Sequence, residues 1–281
     1  MSTAERLQQR AQELHRLHRQ NRPLVLPNVW DAGSARLVEQ AGASVIATSS
    51  AGVAWALGCR DGEGLEREQA LGVIRSIVQA VNLPVTADVE SGYGQGTPQD
   101  VATTVRGVLE AGAVGINLED TPGRGGEPIL APEEQAERLR AARKAAQEAG
   151  VDLFVNARTD VFLRGLLEPE ERLEEVLRRA QVYLEAGADG IFVPGVVDAP
   201  TIQALVEGLP APLNLMVKPE SPRIEELSRL GVARVSLGAG LALGALGHLR
   251  RSVEGLLRDG AYPFSDQDLT SAEANGLFGQ D

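Results

Sequence analysis

The sequence predicts an α/β fold, a (β/α)8 TIM-type barrel, on three observations. Eight short apolar or β-branched runs lie near residues 24–28, 44–48, 84–88, 114–118, 152–156, 189–193, 212–217 and 233–237, with helical patterning between them. A motif also repeats: Glu110-Ala-Gly-Ala-Val-Gly-Ile returns as Glu185-Ala-Gly-Ala-Asp-Gly-Ile. In each copy a helix ends at a glycine suited to the left-handed C′ position and an apolar strand begins. Finally, no domain-sized linker interrupts the 281 residues, and one such barrel uses about 250. A doubly wound sheet is the alternative. The expected organisation is one barrel domain over 1–281, with a leading helix at 1–21, the barrel at 22–258 and a C-terminal helical tail at 259–281.

Helices are expected near 32–41, 66–81, 98–111, 132–149, 170–186, 198–207, 222–230 and 240–258. Thr97-Pro98 and Ser221-Pro222 each offer a side-chain oxygen at N-cap and proline at N1, and Asp100 completes a capping-box spacing with Thr97. Pro132 opens a segment that is acidic first and basic later, as the helix dipole favours. Loops from Thr48 to Leu65 and from Glu119 to Ala131 are long, which marks the working face. Within the second, Gly123-Arg124-Gly125-Gly126-Glu127 reads as a mobile flap with glycine hinges and two charges, Arg124 and Glu127, at its tip. Tyr262, Phe264 and Phe278 in the tail are expected to cover a barrel end or a neighbouring subunit.

The net charge of −12 argues against nucleic acid or an anionic membrane surface as a partner. No secretory segment opens the chain, and its longest apolar stretch is too short to span a bilayer. One cysteine, Cys59, excludes an internal disulfide and suits a reducing compartment. A soluble cytoplasmic protein is expected, with His15 and His18 read as solvated helix residues and Cys59 as packed and inert.

Two strand-like runs end in acids, Asp88-Val89-Glu90 and Glu119-Asp120, and Asp61 follows an earlier strand. In a parallel barrel these open onto one rim, where the active site lies. Acids converging there repel one another unless a hard cation sits among them, so they read as a Mg²⁺ site, with Mn²⁺ as the alternative ion. Arg158 ends the fifth predicted strand and can clamp a carboxylate or pair with Glu119 or Asp160. Thr48-Ser49-Ser50-Ala51-Gly52 offers small residues whose N–H groups can approach an oxyanion. Asn214 and Lys218 are further candidates for carboxylate contacts, and Trp30 and Tyr93 for pocket walls. Asp31 is a plausible helix N-cap.

At these residues the chain resembles the isocitrate lyase / phosphoenolpyruvate mutase superfamily over about residues 22–258. The matching segments are Ser49 to Gly52 through Leu57 to Asp61, Asp88 to Gly94, Leu118-Glu119-Asp120 and Ala157-Arg158. The resemblance implies a barrel, usually tetrameric with its last helix exchanged between subunits, that binds Mg²⁺ and a 2-oxo acid. It implies Asp88 as the principal Mg²⁺ contact, with Asp61, Glu90 and Glu119 acting through waters. It also implies Ser49, Ser50 and Ala51 on the carboxylate and carbonyl region, and Arg158 on the carboxylate. Two departures stand out. The lyase stretch after the Glu-Asp pair, which carries a proton-donating cysteine, reads Thr121-Pro122-Gly123-Arg124-Gly125-Gly126-Glu127 here, and the usual aspartate at position 90 is glutamate.

The expected activity is a Mg²⁺-dependent carbon–carbon lyase or decarboxylase acting on a 2-oxo or 2-hydroxy acid through a metal-stabilised enolate. A small dicarboxylate such as oxaloacetate suits it, with Arg158, Glu119 and Asp61 as the catalytic candidates. Decarboxylation tolerates the missing cysteine, because departing CO₂ needs no protein acid. The alternatives are phosphorus–carbon chemistry on a phosphonopyruvate and a non-catalytic barrel that binds 2-oxo acids. A homo-oligomer, dimer or tetramer, is expected.

Overall fold

The structure is a computed structural model and describes residues 3–123, 128–265 and 267–279. Helix α1 (Thr3–Leu17) leads into β1 (Leu24–Leu26), β2 (Asn28–Val29), α2 (Ala32–Gln40), β3 (Ile46–Thr48) and α3 (Ser50–Ala56). The chain continues through α4 (Arg67–Ala80), β4 (Val85–Asp88), α5 (Pro98–Ala111), β5 (Gly115–Glu119), α6 (Pro132–Glu148) and β6 (Phe154–Arg158). Then come α7 (Arg172–Glu185), β7 (Gly190–Phe192), α8 (Ala199–Gly208), β8 (Leu213–Met216), α9 (Ile224–Leu230), β9 (Arg234–Ser236), α10 (Gly240–Asp259) and α11 (Ser271–Gly276).

All strand pairs are parallel, in the order β1-β9-β8-β7-β6-β5-β4-β3-β2. Among the described residues there are nine strands where the sequence suggested eight, because Pro27 divides the first. Proline has no N–H for the ladder, so Leu24 to Leu26 pair with β9 while Asn28 and Val29 pair with β3. The two halves of that stave bring the ends of the sheet together into a nearly closed barrel.

Strand side chains alternate. Ile116, Leu118, Val155, Ala157 and Val235 are fully buried in the apolar core shared with the helices. The inward positions are polar: Asn117, Asn156, Asn214 and Arg234 are each at most 5% exposed. Helix α1 closes the end of the barrel opposite the site with Ala11 and Leu14, joined by His18 just past its last residue. Its approach needs a glycine, since a Cβ at Gly115 would lie 2.7 Å from Leu14 Cδ2. His18 is therefore not a solvated residue: it is 3% exposed and its ring stacks on Phe154 at 3.8 Å. Burial, then the Arg234 charge, lower its pKa to about 3, so the imidazole is neutral.

The caps of α5 form as its sequence predicts: Thr97 Oγ1 accepts from Asp100 N at 3.1 Å, and Gly112 terminates the helix at φ 98°. Ser221 does not cap α9. Its hydroxyl accepts from Lys218 N instead, and the helix starts at Ile224. The loop from Thr48 to Leu65 contains a short helix, α3, where none was expected. In the tail, Leu277 is buried and its carbonyl accepts from Arg36 Nε on α2, whereas Tyr262 and Phe264 stay about 80% exposed. Among the described residues no helix is long and apolar enough to cross a membrane.

Candidate active site at the C-terminal rim

The C-terminal ends of the strands surround a cavity of about 370 Å³. Asp61, Asp88, Arg158 and Asn117 line one part of it, Ser49 to Ala51 another, and Phe192, Met216, Leu163 and Leu243 form an apolar wall. Asp88, at the end of β4, is fixed from two sides. Its backbone N–H donates to Thr48 Oγ1 at 2.8 Å, and one carboxylate oxygen accepts from Ser50 Oγ at 2.8 Å. Among the described residues no hydrogen bond holds its other carboxylate oxygen.

Helix α3 changes how the Ser49–Ala51 segment can act. Ser49 is its N-cap, accepting from Gly52 N at 3.2 Å, and the Ser49 amide donates to Val29 O at 2.8 Å. The amides of Ser50 and Ala51 belong to the first turn, which has no intrahelical acceptor. Two N–H groups, rather than three, can meet an anion here.

Glu90 is 4% exposed and has a left-handed backbone at φ 51°, as do Glu63 at 57° and Tyr93 at 59°. Such conformations are costly for non-glycine residues and persist where surrounding bonds enforce them. One carboxylate network supplies those bonds. Glu90 Oε2 accepts from Glu63 N, and Glu63 Oε1 accepts from Ser91 Oγ and from Tyr93 N. Burial raises the Glu90 carboxyl to about 8, and Asp88, Asp61 and Glu119 add to the shift. Partial desolvation, then Asp88, also raises Asp61 at the mouth of the cavity.

Glu119 ends β5 beside Arg158 at the end of β6, and their side chains pair at 2.8 Å. Arg158 also forks onto Asp160 through Nε at 2.7 Å and Nη2 at 3.0 Å. Burial pushes the Glu119 carboxyl up while Arg158 draws it back down. Arg158 itself is held above its ordinary value: burial opposes its charge, but Glu119, Asp160 and Asp88 outweigh it. Three of the five guanidinium N–H groups are thus engaged, leaving two that can hold a ligand carboxylate.

Asp120, read with the rim acids, points the other way. It is fully buried and accepts from Tyr183 Oη at 2.8 Å, Arg179 at 3.1 Å and Asp160 N at 3.0 Å. Strand alternation accounts for this, since Glu119 and Asn117 share the inward face and Asp120 does not. Trp30 and Asn214, expected at the substrate, do not line the cavity. Trp30 lies in a separate apolar pocket with Trp55, Ala242 and Leu246, and Asn214 binds Asn156 and Ser236 deeper in the barrel. Tyr93 is buried behind Glu63, also away from the cavity wall. Lys218 stands exposed at the mouth, Asp31 caps α2, and Cys59 packs partly buried beside Val53 and Leu65. Arg124 and Glu127 lie outside the described residues. Asn28, Asn117 and Ser236 line the cavity unforeseen. Their signal in the sequence was a polar residue at an inward position of an otherwise apolar run.

Among the described residues, no three His, Cys, Asp or Glu side chains stand close enough to cage a metal directly. Glu90 and Glu119 already have oxygens committed to Glu63 N, Thr121 Oγ1 and Arg158. The arrangement fits Mg²⁺ with Asp88 as its direct carboxylate, because that ion keeps several waters and takes one or two carboxylates. The raised acids supply a test. The folded metal-free protein keeps a proton on Glu90 that the unfolded chain has released, so stability falls as pH rises toward 8. His18 acts oppositely below about pH 6.5, because the unfolded imidazole is protonated there and the folded one is not. Between about pH 6.5 and 8 the metal-free Tm is therefore expected to fall by a few degrees. Millimolar Mg²⁺ should abolish that fall, and a flat metal-free profile would contradict the acidic crowding.

A parallel barrel whose C-terminal rim gathers acids, an arginine and the first-turn amides of α3 around one cavity is the frame of an α/β-barrel enzyme. The phosphoenolpyruvate phosphomutase family profile matches residues 14–257. The chain belongs to this family, within the isocitrate lyase / phosphoenolpyruvate mutase superfamily. It is 31% identical over 198 residues to 2-methylisocitrate lyase of Escherichia coli K12, covering 68% of this chain and 64% of that protein. A solved structure from Burkholderia cenocepacia J2315, described as a candidate phosphonomutase, is 47% identical. It superposes with a TM-score of 0.83 over 88% of this chain and 99% of the other. A phosphonopyruvate hydrolase solved with oxalate and Mg²⁺ is 26% identical, with a TM-score of 0.83 over 95% of this chain and 94% of its own. These relatives support carbon–carbon lyase or mutase chemistry on a small molecule.

Proposed function

We propose that the protein is a Mg²⁺-dependent lyase or decarboxylase that cleaves a carbon–carbon bond next to a 2-oxo or 2-hydroxy acid. A small dicarboxylate such as oxaloacetate is the preferred substrate. The observation that carries this reading is the placement of Asp88 and Arg158 in one cavity with the Ser50 and Ala51 amides. Asp88 would hold the ion directly, with Asp61, Glu90 and Glu119 orienting its waters. When bound, the ion withdraws electron density from substrate oxygens and stabilises the negative charge left by bond cleavage.

The chain's own groups do the rest. The Ser50 and Ala51 amides and the two spare Arg158 N–H groups orient the 2-oxo acid. Glu119 and Asp160 fix the guanidinium's position at the cavity wall. The apolar wall of Phe192, Met216 and Leu163 limits water around the reacting carbon. In decarboxylation the C–C electron pair passes to the carbonyl oxygen as CO₂ leaves, and water then protonates the enolate carbon. No step needs the cysteine absent between Thr121 and Glu127.

A panel of 2-oxo diacids, 2-hydroxy diacids and phosphonopyruvate, assayed with Mg²⁺, tests this reading. Metal-dependent release of CO₂ or a second oxo acid is the expected result. Phosphate release from phosphonopyruvate would select phosphorus–carbon chemistry, and tight metal-dependent binding without turnover a binding protein.

We also propose a cytoplasmic homo-oligomer. Helix α10 buries only Ala242, while Leu243, Leu246, Leu249 and Leu257 are 48–81% exposed. Light scattering is expected to give a dimer or tetramer, and Leu246→Lys with Leu249→Lys to yield monomer. A wild-type monomer at micromolar concentration would defeat this part.

A further inference from the structure

The polar interior of the barrel contains a charge that the proposed reaction has not used. Arg234, on β9, is 1% exposed, and no carboxylate of the described residues lies within ion-pair distance of it. Its Nη2 donates to Asn117 Oδ1 at 3.0 Å, and its Nη1 lies 3.4 Å from His18 Nε2. His18 Nδ1 meets Leu14 O at 2.7 Å, so the neutral ring donates there and presents Nε2 as an acceptor to the guanidinium. Arg234 Nε is buried with no hydrogen-bond partner. A buried charge without a counter-ion is normally destabilising. Hydrophobic residues would fill the same space at less cost, so its presence calls for a use.

That use follows from what lies above it. Asn117 links the guanidinium to the cavity, which it lines, and its Cα is the register partner of Asp88. Burial lowers the Arg234 pKa to about 9, and the Asp88 charge opposes that shift. The cavity above is poor in positive charge available to an anion. Arg158 is shared between Glu119 and Asp160, so that trio is net negative, and Lys218 is solvated at the mouth. A dianionic substrate entering a chain of net charge −12 therefore needs a compensating charge beneath the floor.

We propose that Arg234 is a positioning residue whose charge, held by His18 and Asn117, favours the bound oxo-acid anion over the cation at the rim. This inference rests on the proposed 2-oxo-acid site and predicts effects of opposite sign on the two ligands. A guanidinium below the floor strengthens anion binding and weakens divalent-cation binding. A purely structural residue would weaken both when removed.

The test uses oxalate and Mn²⁺ as probes on the intact protein. Calorimetry measures oxalate affinity with saturating Mg²⁺, and electron paramagnetic resonance measures Mn²⁺ affinity without oxalate. For Arg234→Gln, oxalate is expected to bind at least about tenfold more weakly while Mn²⁺ binds as tightly or more tightly. Arg234→Lys keeps the charge without the fork and should hold oxalate affinity within about threefold. If Arg234→Gln fails to fold, the lysine variant decides alone, since a tenfold loss there overturns a charge-based role. Parallel losses of both ligands in Arg234→Gln, or unchanged oxalate affinity, also overturn the proposal. Wild-type protein that binds neither probe would instead refute the oxo-acid site itself, and this inference with it.

Discussion

Asp88→Ala is expected to lower metal-dependent turnover by at least about 10³-fold and to abolish Mn²⁺ binding detectable at millimolar ion. Asp88 lines the cavity with one carboxylate oxygen held by Ser50 and, among the described residues, no hydrogen bond on the other. Asp61, Glu90 and Glu119 are each raised in part by its charge, so its removal relaxes their repulsion along with the attraction for a cation. Charge stabilisation by a bound metal amounts to several kcal/mol in the transition state, and each 1.36 kcal/mol is tenfold in rate. Asp88→Asn keeps the Ser50 bond and separates charge from shape. It should lose nearly as much activity while its metal-free Tm stays at or above the wild-type value. Activity in either variant within about tenfold of wild type, at saturating Mg²⁺, would remove the metal from the mechanism.

The sequence disclosed the barrel because its signals were local. Alternating apolar runs, the capping box at Thr97 and the left-handed glycines such as Gly112 depend on neighbours a few residues away. It disclosed the rim acids for the same reason, since a carboxylate at a strand end needs no knowledge of the strand's partner. What it could not show was which acids are free. Asp120 and Glu119 are adjacent, yet Asp120 is locked to Arg179 and Tyr183, residues about sixty positions away, while Glu119 is held at the rim by Arg158 and Thr121. Strand alternation could have separated them had the register of β5 been known. His18 was misread because its polarity outweighed the spacing it shares with Ala11 and Leu14 on the buried face of α1. Helix α3 was missed because Ser49 to Gly52 reads equally as a tight turn. Pro27 was visible, but its consequence, one strand divided between two partners, exists only once the barrel closes.

Arg158→Lys is expected to reduce kcat/KM by about 10² to 10³-fold, with KM rising, while the protein stays folded. The guanidinium does two jobs at once. It pairs with Glu119 and Asp160 through three N–H groups and, in the proposed site, offers the other two to the substrate carboxylate. Lysine retains the charge, so the buried carboxylates are not stranded, but a compact ammonium has three donors and no fork. If it satisfies both acids, little is left to orient the ligand, and losing a bidentate charge-assisted pair costs several kcal/mol. Arg158→Met is a harsher change. It leaves Glu119 and Asp160 without their partner and is expected to cost about 3–5 kcal/mol of stability as well as activity. Kinetics and urea denaturation on both variants therefore separate the two jobs. A lysine variant with kcat and KM within about threefold of wild type would mean that Arg158 holds the rim together and does not touch the substrate.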